Sequence, residues 1–215
     1  MVLLDETPEP VLRHQALGGV LEFVRFADAN GCDATLRMAL EQTLRRVSND
    51  QGYPEPFTLD LTTLRALQPV ELTQTKFFGS AFDPASGQLV LRSTWTDTDG
   101  RTFRNPTFAE LAGYPEMSSG MTVHPAETGQ FAYAFLDPPY GLRGTRAEKQ
   151  ALFDDICGLI LPPGLDCTIL DWCCNDLQAV SDYFDAGMEW WGMFLFTIHV
   201  PSRRSLTVIT ASTTD

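Results

Sequence analysis

The order of strand-like and helix-like patterns after Gln130 constrains the fold of this chain more than any other feature of its sequence. Apolar patterns there predict, in order, a strand at 131–136, a helix at 145–160, a strand at 167–172, a helix at 176–184, and a hairpin of strands at 191–200 and 205–210. Helices and strands that interleave in this way are typical of a mixed sheet that is covered by helices on one face.

The first third of the chain carries helical patterns. Apolar residues recur at intervals of three and four over 10–29, which predicts an amphipathic helix that Gly18 and Gly19 weaken. Asp33 is a good N-cap for a second helix over 34–47, and 59–67 predicts a short third helix. We therefore expect residues 1–68 to be largely helical.

Turn signals divide the middle of the chain. The segments 83–87 and 97–100 separate strand-like runs at 76–82, 88–96 and 101–103, and this spacing predicts an antiparallel β meander. The acidic turn at 97–100 lacks the glycine and the glutamate of a calcium-binding EF-hand, so a hairpin turn is favoured there. Together these patterns predict an α+β fold of one domain over 1–215, with 1–68 and 69–215 as possible subdomains.

The charge of the chain disfavours two classes of partner. With 28 acidic and 15 basic residues, the formal net charge is -13, which repels both nucleic acid and anionic membrane surfaces. No segment approaches the roughly 18 apolar residues of a membrane span, and the N-terminus lacks a signal-like pattern. We expect a soluble cytoplasmic protein that is a monomer or a homodimer.

Cysteines and glycines give no sign of a metal or a cofactor. Four of the five cysteines, Cys157, Cys167, Cys173 and Cys174, lie close together, but without a C-x-x-C spacing or a nearby histidine. Reduced, buried thiols fit this pattern better than a zinc site does. There is no glycine-rich phosphate loop either, so the sequence predicts no cofactor.

An acidic and aromatic segment supplies the leading functional hypothesis. Between Lys149 and Arg203 there is no Lys or Arg, whereas eight acidic side chains and several aromatic residues are present. Such a surface is either a solvated face or a docking surface for a cationic partner. If it docks a partner, the expected contacts are Asp171, Trp172, Asp176, Asp182, Asp185 and Glu189. The hypothesis is a non-enzymatic interaction protein that binds a basic protein, as immunity proteins do when they neutralise basic nuclease toxins.

A short motif supports an alternative. The sequence Phe-Leu-Asp-Pro-Pro-Tyr at 135–140 resembles the [DN]-P-P-[YF] motif of adenine and guanine N-methyltransferases. The resemblance implies S-adenosylmethionine as methyl donor, Asp137 as the residue that holds the exocyclic amine, and Tyr140 as the ring that stacks on the base. The order of elements after the motif is similar to the second half of that fold. A structural explanation is also open, since two prolines end a strand and fix an extended turn.

Two further alternatives remain at this point. His124 lies in a loop with Ser118, Ser119 and Glu127, which is compatible with an unclassified hydrolase. The three histidines are scattered along the sequence, and His199 lies in the apolar run 194–200, where a histidine is usually structural. A third class is a structural or chaperone-like subunit that buries the Trp190–Trp191 surface against a second copy of itself.

Overall fold

One antiparallel sheet organises the parts of the chain that the computed structural model describes, namely residues 1–50, 56–115, 129–173 and 175–213. The helices are α1 (Glu9–Ala16), α2 (Asp33–Asp50), α3 (Leu61–Ala66), α4 (Gln74–Phe78), α5 (Phe131–Leu136) and α6 (Arg146–Ile160). The strands are β1 (Val2–Leu4), β2 (Glu22–Ala27), β3 (Val70–Leu72), β4 (Phe82–Asp83), β5 (Gln88–Leu89), β6 (Thr94–Thr96), β7 (Thr102–Arg104), β8 (Thr168–Asp171), β9 (Met193–Val200) and β10 (Ser205–Ser212). This composition confirms the predicted α+β class.

The sheet runs in the order β1-β2-β10-β9-β8-β3, and each neighbouring pair is antiparallel. The predicted C-terminal hairpin is confirmed: Val200 pairs with Ser205, and Arg204 closes the turn with a φ of 48°. Strand β2 lies against β10, with Val24 opposite Val208. Strand β2, near the start of the sequence, therefore pairs with β10, near its end.

Both faces of the sheet are covered, whereas the sequence predicts helices on one face. Alternate residues of β9 point to opposite sides, so Phe194 and Phe196 join one core cluster and Leu195 joins another. The first cluster packs against α1, α4, α5 and α6, and the second against α2, α3 and the turns at 175–184. Burial on two faces explains why β9 is an almost unbroken apolar run.

The predicted helix over 10–29 is wrong in its second half. Helix α1 ends at Ala16, and Gly18 then adopts a φ of 97°, which is a conformation that glycine adopts without strain. The following residues form β2, which is hydrogen-bonded on both sides. Its pairing partners lie at the two ends of the chain, and a local periodicity cannot report them.

Two other elements differ from the predictions. Residues 131–136 form helix α5 and not a strand, and all six of these residues are buried. The segment 176–184 contains turns and one turn of 3₁₀ helix at Asp182–Phe184 in place of a longer helix. Short apolar runs fit a buried helix and a buried strand equally well, and packing decides between them.

Several local predictions are confirmed. The helices expected at 34–47, 59–67 and 145–160 are present as α2, α3 and α6. In the structure Asp60 is the N-cap of α3, and a capping box between Thr145 and Glu148 begins α6. The turns at 83–87 and 97–100 connect β4 to β5 and β6 to β7. These are two separate hairpins and not one meander, because the run predicted as one strand at 88–96 is divided into β5 and β6, which belong to different sheets. The run predicted as a strand at 76–82 is helical up to Phe78.

A small third cluster lies beside the main sheet. It contains Leu91, Phe103 and Leu111, with Trp95 and Tyr114 packed against them.

No helix within the described ranges is both long and apolar enough to cross a membrane.

Candidate functional site

An open cleft of about 390 Å³ lies where β8 ends, β9 begins and α5 starts. Its lining comes from three segments of the chain, and comprises Gly129, Gln130, Tyr133, Asp171, Cys173, Gly187, Met188, Glu189, Trp190, Trp191, Gly192, Met193 and Phe194. A volume of this size is typical of a small-ligand pocket. The cleft is therefore the first candidate for a functional site.

Asp171 ties two walls of the cleft together. It is the last residue of β8 and is only 1% exposed. Its Oδ2 accepts the backbone N–H of Gly129 at 3.0 Å, and its Oδ1 accepts the backbone N–H of Cys173 at 2.8 Å. The carboxylate thus satisfies two backbone donors in the interior, and each oxygen keeps acceptor capacity.

The wall of the cleft that contains the start of α5 depends on a close approach between two backbone segments. Gly129 has a φ of 85°, and a Cβ at this position would overlap the carbonyl of Lys76. Gln130 follows in the left-handed region with a φ of 68° and forms the N-cap of α5. This geometry turns the chain sharply, so that Tyr133 lines the cleft from the first turn of the helix.

The opposite wall is a tight turn between Gly187 and Gly192. The N–H of Gly192 donates to the Gly187 carbonyl at 2.9 Å, and the N–H of Gly187 donates to Ser212 Oγ at 2.9 Å. A Cβ on Gly187 would overlap the Gly192 carbonyl, so this turn requires a residue without a side chain. The turn presents Trp190 and Trp191 between its two glycines.

The two tryptophans have different roles in the turn. Trp191 is buried, and its Nε1–H donates to the carbonyl of Asp137 at 2.6 Å. Its ring meets Phe194 edge to face at 4.9 Å. Trp190 is 53% exposed and Met188 is 54% exposed, so both lie at the outer edge of the cleft. The cleft therefore has a fixed aromatic wall and an accessible apolar rim.

The charged groups of the cleft are acidic. Among its described lining residues, Asp171 and Glu189 carry charge, and neither Lys, Arg nor His is present. Burial, with a further contribution from the negative charge of Asp137, raises the pKa of Tyr133 to about 12. The phenol is therefore neutral at ordinary pH and donates or accepts hydrogen bonds without adding charge.

The structure separates the six residues that the sequence proposes as partner contacts. Asp171 and Glu189 line the cleft, but Asp171 lies at its floor and not on an open surface. Trp172 is wrong as a surface anchor: it is fully buried, and its Nε1–H donates to Thr197 Oγ1 at 3.1 Å. An apolar residue that follows a buried strand is drawn into the second core cluster.

The other three acidic residues lie outside the cleft. Asp182 is half-buried and accepts the N–H of Thr58 at 2.8 Å, so its carboxylate holds two distant segments together. Asp176 and Asp185 are exposed, and Asp185 accepts from Gln178 Nε2 at 3.0 Å. Asp176 and Asp185 are thus accessible to a partner, and Asp182 has a structural contact.

The Asp-Pro-Pro-Tyr motif has a structural setting that differs from the implied one. It follows helix α5 and not a strand, and Gly141 N–H closes the turn on the Pro138 carbonyl at 2.7 Å. Tyr140 is 79% exposed, and the contact of Asp137 with Trp191 uses its backbone carbonyl. Within the described ranges the sheet is antiparallel, without the alternating parallel strands that the resemblance implies.

The histidines do not complete a catalytic set in the described part of the chain. His124 and its neighbours Ser118, Ser119 and Glu127 lie outside the described residues. His14 and His199 are buried and contact backbone carbonyls, those of Phe135 and Ala29. No group of three His, Cys, Asp or Glu side chains that could hold a metal ion occurs in the described ranges.

Sequence reasoning missed most of the apolar and neutral lining of the cleft. Tyr133 belongs to a run that the sequence predicts as a strand, Gln130 directly precedes that run, and Met188, Met193 and Phe194 carry no chemical signature. One signal was present: Gly187 and Gly192 bracket Trp190 and Trp191, and glycines are typical of tight turns.

In comparisons with known proteins, no family model, curated protein or solved structure matches the chain.

Proposed function

We propose that this protein is a non-enzymatic interaction protein that binds a basic protein partner through the cleft and the neighbouring acidic segment 175–190. The observation that carries the proposal is the chemistry of the cleft, where Asp171 and Glu189 are the charged groups among the described lining residues. Aromatic rings form much of the remaining wall. Carboxylates beside accessible aromatic area are suited to a cationic protein surface.

The way the acidic segment packs supports this proposal. Leu177, Val180, Tyr183 and Phe184 are buried in the second core cluster and hold the segment against the sheet. Asp176, Asp185 and Glu189 remain exposed. The segment is therefore anchored from within and carries its charge outward, as a pre-formed binding surface requires.

The net charge of -13 adds a long-range contribution. A strongly negative molecule attracts a basic partner before contact, so that association is fast and its rate constant falls as the ionic strength rises. An inhibitor or immunity protein against a basic toxin is the specific form of this function that we propose.

The test compares two double variants on affinity columns with lysate of the native host. Asp176→Lys with Asp185→Lys reverses charge on the acidic segment, and Glu6→Lys with Asp99→Lys makes the same change in net charge at exposed sites elsewhere. We expect a basic protein that the wild type and the control retain, that a salt gradient elutes, and that the first variant loses. The purified protein should then bind the wild type directly.

Equal retention on all three columns would contradict the proposed surface. Retention of acidic or neutral proteins alone would contradict the proposed class of partner.

A further inference from the structure

The cleft has more specific chemistry than a general acidic surface. Asp171 is 1% exposed, and its carboxylate accepts the backbone N–H groups of Gly129 and Cys173. Backbone dipoles stabilise a buried carboxylate but do not neutralise it. A cation that enters the cleft would therefore compensate a buried charge that no Lys, Arg or His among the described lining residues compensates.

The carboxylates lie at two depths. Asp171 is at the floor, and Glu189 is exposed on the turn that forms the outer wall. A long side chain with a terminal charge can place that charge near the floor while its apolar stem contacts the aromatic wall. This arrangement favours an extended cationic side chain over a compact inorganic cation.

The aromatic wall distinguishes between the two long cationic side chains. Trp191 is held by its hydrogen bond to Asp137 and by Phe194, and Tyr133 lies 6.3 Å from Phe194 between ring centroids. A planar guanidinium stacks on such rings, gives up its hydration more easily than an ammonium does, and pairs with carboxylates through two parallel N–H groups. The rings therefore favour arginine over lysine.

We propose that this cleft is an arginine-binding pocket, in which Asp171 and Glu189 attract the guanidinium of a partner's arginine side chain and the rings of Tyr133, Trp190 and Trp191 surround it. This assignment rests on the proposed function for the identity of the partner as a protein. The pocket itself can be tested without the partner.

The experiment titrates ¹⁵N-labelled protein with Nα-acetyl-arginine amide and follows the Trp191 indole and the Gly129 and Cys173 amides by NMR. Nα-acetyl-citrulline amide, which has nearly the same shape without the charge, and Nα-acetyl-lysine amide are the matched probes. We expect saturable shifts at the cleft with the arginine compound. The affinity of the citrulline compound should be lower by at least about tenfold, since a charge-assisted hydrogen bond contributes more than a neutral one.

Variants of the exposed rim identify the groups involved. Glu189→Gln and Trp190→Ala change accessible side chains, and we expect each to weaken binding of the arginine compound by about threefold to tenfold. Glu6→Gln is the matched control because Glu6 is exposed and lies outside both the cleft and the acidic segment. It should leave the affinity unchanged.

Three results would overturn the pocket: equal affinity for the citrulline compound, equal affinity for the lysine compound, or saturable shifts away from the cleft. The outcome is separable from that of the column experiment. Binding of the arginine compound without a captured basic protein removes the proposed function and leaves the pocket. If the captured protein binds the Trp190→Ala and Glu189→Gln variants as tightly as it binds the wild type, the arginine pocket is contradicted and the proposed function is not.

Discussion

His14 connects the first helix to the core through its ring. It is fully buried, stacks on Phe135 with ring centroids 4.7 Å apart, and approaches the Phe135 carbonyl with Nε2 at 3.2 Å. A Cβ on Gly19 would overlap the imidazole, so the following turn closes directly over the ring. Burial lowers the pKa of His14 to about 4, although the contact with the Phe135 carbonyl acts in the opposite direction.

The stability of the protein should therefore fall on mild acidification. The unfolded chain takes up a proton near pH 6.5 and the folded chain near pH 4, so stability that is complete above pH 6.5 is lost progressively down to about pH 4. The loss over this window should be about 3 kcal/mol, at about 1.4 kcal/mol for each pH unit. Denaturant unfolding at several pH values measures it.

The matched variant is His14→Phe, which keeps an aromatic ring but cannot titrate. We expect its free energy of unfolding to be nearly independent of pH between 6.5 and 4.5, whatever its value at pH 7. A slope equal to that of the wild type would assign the acid sensitivity to other groups.

Among the elements, α6 supports the small third cluster through the side chain of Arg146. Arg146 is 7% exposed, and its guanidinium donates to the carbonyls of Leu111 at 3.0 Å, Tyr114 at 3.0 Å and Pro115 at 2.6 Å. The cluster of Leu91, Phe103 and Leu111 is small, so these hydrogen bonds act together with Phe108, which packs in the first core cluster, to fix the segment to the main body.

Replacing Arg146 with Met should release this segment while the sheet stays intact. Charge-assisted hydrogen bonds contribute about 1.5–3 kcal/mol, so hydrogen exchange of amides in 91–111 should become faster by about tenfold to a hundredfold. Amides of β9 and β10 serve as the internal control and should keep their protection. Equal loss in both regions would mean that Arg146 supports the whole fold and not the segment.

The elements that the sequence predicts correctly are those with local signals. The capping box of α6, the N-cap of α3 and the Pro201–Arg203 turn of the last hairpin lie within a few residues of the elements they end or begin. Strand β2 and helix α5 depend on distant contacts, with β10 in one case and with the surrounding core in the other. Local periodicity does not contain that information.

The same distinction applies to the cleft. The acidic and aromatic composition of its outer wall is visible in the sequence, and Asp171 and Glu189 are predicted contacts that do line it. The burial of Trp172 and the contribution of Tyr133 follow from the packing of β8 and α5. Sequence reasoning identified the charge of the site, and the structure supplies its shape.

At the scale of the whole molecule, the excess of negative charge acts on folding as well as on binding. The formal net charge is -13, and the ion pairs Arg13–Asp155, Arg37–Asp33 and Arg45–Glu41 each include at least one well-exposed partner. Exposed pairs contribute little to stability, so screening them removes little attraction. Repulsion among the remaining carboxylates extends over a Debye length, which is about 30 Å at 0.01 M salt and about 8 Å at 0.15 M.

Raising NaCl from about 10 mM to about 300 mM should therefore raise the thermal unfolding midpoint, because repulsion is relieved more than attraction is lost. NaCl is preferred to sulfate, which strengthens apolar burial by a separate effect. Neutralising exposed acids with Asp176→Asn and Asp185→Asn should raise the midpoint at low salt and reduce its dependence on salt. If the midpoint falls as NaCl is added, attraction within the ion pairs outweighs the repulsion among carboxylates. The charge of the acidic segment then does not destabilise the folded state.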